Sequence, residues 1–216
     1  MCIICEYYGL KGPDILSDQF LHEDNVESAP KDSINETKYI GLFSDYTFHQ
    51  VKNNRYKIKT PHGFDEITGI SKLVFTDKTI STTIDIKGTF DQITGLNTND
   101  AKIFRLYNAA TKGLPNPLGL RYWINQRNQA AIDERSIVKE LMLTNEFANI
   151  YGNNTSHRQY VNNLYENILY RNPDIHGFSY WLGQLNSEDE TREEVFLGFT
   201  ESTENKTLFT KVTGFE

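Results

Sequence analysis

The chain repeats itself at an interval of 58 residues. Displaced by that interval, LYNAATKGLPNPLGLRYWINQ (106–126) falls on LYENILYRNPDIHGFSYWLGQ (164–184) without a gap. Leu106 meets Leu164, Tyr107 meets Tyr165 and Gly119 meets Gly177. Tyr122 and Trp123 meet Tyr180 and Trp181, and further on Glu146 meets Glu204. A gapless repeat of this length requires two copies of one supersecondary unit, stacked so that each buries an apolar face the other leaves open.

Each copy reads as three helices. The first carries apolar residues at helical spacing: Ile103, Leu106, Tyr107 and Ala110, then Val161, Leu164, Tyr165 and Ile168. The second is opened by Asp174 as an N-cap whose carboxylate accepts from free N–H groups of the first turn. Its counterpart Asn116 is followed by Pro117 at the first helical position, where a missing N–H costs nothing. Pro173 precedes the cap, and the glycines at 119 and 177 fall inside the helix. There glycine costs about 1 kcal/mol against alanine, so a repeated one implies close approach of a neighbouring helix. The third helix starts at a capping box, Thr191 with Glu194, matched by Asp133. Tyr122, Trp123, Tyr180 and Trp181 read as core aromatics in preference to a sugar-stacking platform.

Between Tyr46 and Leu96 the grammar changes. The short β-rich runs YTFHQV, RYKIKT, KLVFTD and ISTTIDI are separated by Gly, Asn and Asp. FDEITGI (Phe64 to Ile70) recurs as FDQITGL (Phe90 to Leu96), and a motif recurring at a fixed interval implies stacked coils of a β-roll or solenoid. The expected architecture is therefore α+β: a small β-roll-like part, then two three-helix repeats forming one helical domain. The expected boundaries are an irregular lead-in (1–37), the β-roll-like region (38–98), repeat 1 (99–155) and repeat 2 (156–212).

The formal net charge is −7, and seven acids against Lys11 and Lys31 place −5 of it in residues 1–34. That balance argues against a nucleic-acid surface and against binding to anionic membranes. No apolar run reaches the roughly 20 residues of a membrane span, and the start, MCIICEYYGL, lacks the basic and long apolar regions of a cleaved secretory signal. The cysteines Cys2 and Cys5 have no second pair or histidine cluster to complete a four-ligand metal site, and read as incidental thiols.

The second copy spells a dense pattern: Leu164, Tyr165, Leu169, Arg171, Pro173, Asp174, Gly177, Tyr180, Trp181, Gln184 and Leu185, then Thr191, Glu193, Glu194, Val195, Gly198, Phe199, Ser202 and Glu204. It resembles a bacterial domain of unknown function found as tandem helical repeats near the C-terminus of haemolysin-type calcium-binding (RTX) and S-layer-like proteins. More distantly it is similar to phycobilisome linker polypeptides. The β segment resembles the part that precedes those repeats, through Tyr56, Ile58, Gly63, Asp65, Ile67, Ile70, Leu73, Phe75 and Asp77. The first copy departs from the pattern, with Lys112-Gly113-Leu114 in place of an arginine-centred segment and Asn116 for the aspartate.

The resemblance implies secretion by the type I route, without a cleaved N-terminal signal, to the cell surface or medium; a cytoplasmic location is the alternative. It also raises calcium. Gly63-Phe64-Asp65-Glu66-Ile67 matches half of one β-roll repeat, but Thr60-Pro61 replaces the glycine pair, and Thr89 stands two before Asp91. Asp65 and Asp91 are thus weak calcium candidates, and no cofactor is expected. No His-Glu-x-x-His, Gly-x-Ser-x-Gly or phosphate-loop pattern exists. The expectation is a non-enzymatic accessory module of a secreted or surface bacterial protein. Its partner would be protein or cell-surface matrix, without nucleic acid or membrane insertion, and the sequence leaves its oligomeric state open. The alternatives are an intracellular linker or virion component of a large assembly and, on weaker grounds, a carbohydrate-active enzyme.

Overall fold

The computed structural model describes residues 35–52 and 54–215. Cys2, Cys5 and almost all of the expected lead-in lie outside the described residues. The β part forms two small sheets. Strands β2 (Thr47–Val51), β3 (Arg55–Thr60) and β4 (Gly63–Glu66) make an antiparallel meander. Strands β1 (Glu36–Lys38), β5 (Lys72–Val74) and β6 (Thr79–Ser81) make the other sheet, β1 parallel and β6 antiparallel to the central β5. Glu36 and Thr37, assigned from sequence to the lead-in, thus belong to a strand.

Two three-stranded sheets are not a roll, and the two FD-x-ITG heptads fold differently. The first begins just after a tight hairpin turn in which Gly63 takes φ +133°, open to glycine and costly to other residues. Its Phe64 is 53% exposed on β4. In the second, Phe90 and Ile93 are buried and, with buried Ile86 four residues ahead of the heptad, form an i, i+4, i+7 stripe. That stripe drives Thr82–Lys87 into a π-helical turn running into a short helix, Gly88–Phe90. Ser81 accepts from the Ile84 N–H at 3.2 Å, while Asp85 accepts from the Ser81 N–H at 2.7 Å. The run ISTTIDI is therefore strand only at its start. Its Ser and Asp cap a helical turn, which overrides the β propensity of Thr and Ile.

Eight longer helices follow: α1 (Asn99–Thr111), α2 (Pro117–Asn128), α3 (Glu134–Met142), α4 (Asn145–Tyr151), α5 (His157–Ile168), α6 (Ile175–Asn186), α7 (Arg192–Thr200) and α8 (Thr203–Thr213). Each repeat has four helices where three were expected, because Thr144 and Ser202 each cap one more. The N-caps fall in pairs 58 residues apart: Thr98 and Ser156, Asn116 and Asp174, Asp133 and Thr191, Thr144 and Ser202. In every case the side chain accepts a backbone N–H of the first turn. The left-handed residues pair as well, Lys112 (φ +48°) with Tyr170 (φ +54°) and Ala130 (φ +53°) with Glu188 (φ +59°). The repeat is one of backbone geometry as well as of letters.

Helix α1 is central and buries Ala101, Ile103, Phe104, Arg105, Leu106, Tyr107, Ala109 and Ala110. The repeats pack through α3 against α7. The β part joins them through α8 on β2, fixed by His49, whose Nδ1 lies 3.0 Å from the Lys211 carbonyl oxygen. Among the described residues no helix is long and apolar enough to cross a membrane.

Candidate functional site

The conserved geometry of the two repeats centres on a tyrosine seated on a glycine. In repeat 1 a Cβ on Gly119 would lie 2.6 Å from the Tyr107 hydroxyl, and in repeat 2 a Cβ on Gly177 would collide with that of Tyr165. The glycines thus admit a tyrosine from the preceding helix, rather than the backbone of a neighbouring one. Beside each glycine the tyrosine–tryptophan pair repeats closely. Tyr122 and Trp123 meet edge-on at 4.9 Å and 70°, Tyr180 and Trp181 at 5.0 Å and 72°. Leu106 and Leu164 are both buried beneath.

Around this shared frame the repeats differ. In repeat 2 Arg171 forks onto Glu204, Nε to Oε1 at 2.7 Å and Nη2 to Oε2 at 2.9 Å, and reaches Asp174 at 3.4 Å. Its guanidinium lies 4.9 Å from the centre of the Tyr165 ring, a cation–π contact. Hydrogen bonds from Arg171 hold the Glu204 carboxyl below its ordinary range. Asp174 is held low first by the backbone N–H of Gly177, which it caps at 2.8 Å, and then by Arg171. Thr191 and Glu194 form a reciprocal capping box, and Glu194 also meets Arg135 of α3.

In repeat 1 the counterpart of Arg171 is Gly113, and the β part occupies the place. The Phe43 ring would lie 3.4 Å from a Cβ on Gly113, and the Lys78 ammonium stands 3.9 Å over that ring. Burial lowers the pKa of Lys78, while the charges of Asp77, Asp85 and Glu146 oppose that shift. The charge of Glu146 thus acts on a cation of the β part, without the forked ion pair that Arg171 makes with Glu204. The next corner is covered too. Thr89 donates to the Pro115 carbonyl at 2.7 Å, Gln92 donates to the Pro117 carbonyl at 3.0 Å, and Pro117 is buried.

The matching corner of repeat 2 is open. Ile175, the counterpart of Pro117, is 77% exposed, with Tyr170 at 57% and Tyr180 at 54%. Helix α6 is rich in apolar residues, yet only Leu185 among its 12 residues is buried. Trp123 is buried, whereas Trp181 is only partly so, lying on the bare backbone of Gly198 and 5.3 Å from Phe199. Of the four aromatics read as core, only Trp123 is buried; Trp181 is partly so, and Tyr122 and Tyr180 are exposed at 37% and 54%.

The calcium candidates do not converge on a roll. Asp91 closes the short helical segment and pairs with Lys87. Asp65 lies on β4 opposite Ile58, and Tyr39 hydrogen-bonds to it; burial and that carboxylate push the Tyr39 pKa up to about 12. Among the described residues no group of three or more His, Cys, Asp or Glu side chains could hold a metal ion.

Phe43, Lys78 and Thr89 carry no motif, Gln92 stands at a position that differs between the two heptads, and only the Gly113 departure in the first repeat pointed to a contact there. Compared with known families, the chain matches the model of a domain of unknown function, DUF4214, over residues 138–209. No curated protein matches the chain, and no solved structure does.

Proposed function

We propose that the chain is a non-enzymatic interaction module whose contact surface is the open corner of repeat 2, formed by Tyr170, Ile175 and Tyr180 on and before α6. The observation that carries the reading is the contrast between repeats. The corner of repeat 1 is covered by a helical turn of protein, with side chains on the Pro115 and Pro117 carbonyls. The same frame in repeat 2 presents Ile175 at 77% exposure. A contiguous exposed apolar patch rimmed by polar groups marks an interaction site, and the internal example of repeat 1 supports protein as its occupant. The partner is accordingly a protein presenting a short helical turn. The setting we propose is a secreted or cell-surface bacterial protein attached to its matrix. This extends the RTX and S-layer resemblance beyond the matched domain.

The experiment is a comparison of the chain with an Ile175→Asp, Tyr180→Asp variant for retention on surface material from the native host. Both substitutions fall at exposed positions and should leave the melting temperature nearly unchanged. Loss of retention in the variant supports the reading, and equal retention opposes it. A linker inside the cell would instead place the wild-type chain on a large intracellular complex.

A further inference from the structure

A cleft of about 860 Å³ lies between the β2–β3–β4 sheet and helices α1 and α8. It shares Tyr170 with the open corner of repeat 2, but no residue of α6 lines it. Its wall is aromatic, with Phe64 from β4, Phe104 from α1 and Phe209 from α8. Phe104 and Phe209 meet edge-on at 5.5 Å, and Phe64 stands edge-on to His49 at 4.9 Å. Aromatic walls of this kind favour a flat ring, which can meet them edge-to-face or offset.

The charges lining the cleft oppose the balance of the chain. Lys59, Lys112 and Lys211 all line it, although the net charge is −7. Among the described residues none of the three forms an ion pair. The buried cation Arg105 is already neutralised by Glu201, and the acid in the lining, Asp45, accepts from the Leu42 N–H at 2.8 Å. Three lysines against the single carboxylate of Asp45 leave an excess of positive charge beside a low-dielectric wall, which an entering anion relieves. Burial, with a smaller effect of the Lys59 charge, lowers the pKa of the His49 ring, and the Lys211 backbone carbonyl accepts a hydrogen bond from its Nδ1. That hydrogen bond also fixes α8 to β2, so the two walls are held at a set separation.

We propose that this cleft binds a small aromatic carboxylate, its ring among Phe64, Phe104 and Phe209 and its carboxylate at the Lys59 and Lys211 ammonium groups. The volume falls within the range of small-molecule sites, roughly 300–1,000 Å³. Lysine suits a carboxylate as a compact charge with three rotatable donors.

The test is calorimetric titration of the full chain with 2-naphthoate at low salt, with 2-naphthylmethanol and acetate as separating arms. Saturable one-to-one binding of 2-naphthoate is expected, with at least about tenfold weaker binding of the neutral alcohol and none of acetate. A Lys59→Gln, Lys211→Gln variant should weaken 2-naphthoate by a similar factor, and Phe64→Ala should weaken both aryl compounds alike. Both substituted lysines are exposed, so unchanged melting temperatures will show that the variants are folded. Absence of saturable heat with the folded wild-type chain would overturn the proposal. So would equal affinity in the lysine variant, or loss of binding in Ile175→Asp instead.

Discussion

Arg105 of α1 donates through Nε and Nη2 to one oxygen of Glu201, the C-cap of α7, at 2.8 and 2.6 Å, with its side chain only 1% exposed. Its third donor reaches the Leu96 carbonyl at 2.8 Å. Neither partner follows the repeat: the counterparts of Arg105 and Glu201 are Asn163 and Leu143. The pair therefore ties the two repeats together without belonging to the frame that each carries.

Glu201→Ala should cost about 3–5 kcal/mol, because it leaves a buried guanidinium without its counter-charge. Arg105→Met should cost less. Glu201 is 28% exposed, keeps Lys206 at 3.4 Å, and can be hydrated when Arg105 is gone. Urea unfolding of both variants measures the asymmetry; equal or reversed costs would show that the pair does not tie the repeats.

The helical half was legible because its signals are local. A cap such as Asp174 and a stripe such as Val161, Leu164, Tyr165 and Ile168 both lie within a few residues of chain. The fourth helix of each repeat was missed because its apolar signal is thin: the helix after Thr144 buries only Phe147 and Tyr151, and in the helix after Ser202 the buried stripe Asn205, Phe209 and Thr213 holds one apolar residue. The β-roll was misread because one heptad was placed in two contexts. Gly63 at a hairpin turn puts Phe64, Asp65 and Glu66 on a strand, while the second copy starts at the end of a short helix, Gly88–Phe90, and turns away from it at Asp91. The open corner of repeat 2 was invisible for a different reason: exposure of Ile175 depends on which repeat the β part covers. Buried Arg105 carried no sequence signal beyond its place on an apolar helix.

Gly177→Ala should destabilise the chain by about 1–3 kcal/mol, since the new methyl group meets the Tyr165 hydroxyl and forces a shift. Tyr165→Phe removes that oxygen and should recover most of the loss. At the matching site, Tyr107→Phe should recover less of a Gly119→Ala loss, because ring carbons of Tyr107 also lie within 3.1 Å of the added position. A double-mutant cycle at each site reads the difference; no recovery at Gly177 would mean the strain lies elsewhere.

Asp174→Ala should cost on the order of 1 kcal/mol as the Gly177 N–H loses its acceptor. Asp174→Asn should cost much less, since asparagine already caps at Asn116 and the contact to Arg171 is long at 3.4 Å. Thermal unfolding distinguishes the two; equal losses would assign the effect to charge rather than to the cap.

His49 ties stability to pH. Burial lowers its pKa, outweighing the Lys211 carbonyl, which favours the protonated form. The unfolded chain then takes up the proton first as pH falls. The contribution of His49 is fully present above its unfolded pKa of about 6.5 and is lost as pH falls from there through the lower folded value. Urea midpoints from pH 8 to 5 should show a decline that is shallower in His49→Gln. Parallel profiles would show that His49 does not titrate in this window.

The central claim, that the open corner of repeat 2 is the contact surface of an attachment module, is tested most directly by fractionating the native host. Cells carrying the wild-type chain are compared with cells carrying Ile175→Asp, Tyr180→Asp, followed by immunodetection in surface, medium and cytoplasm. The wild-type chain is expected in the surface-attached fraction and the folded variant free in the medium. Identical distributions of the two, or a wild-type chain confined to the soluble cytoplasm, would contradict the account.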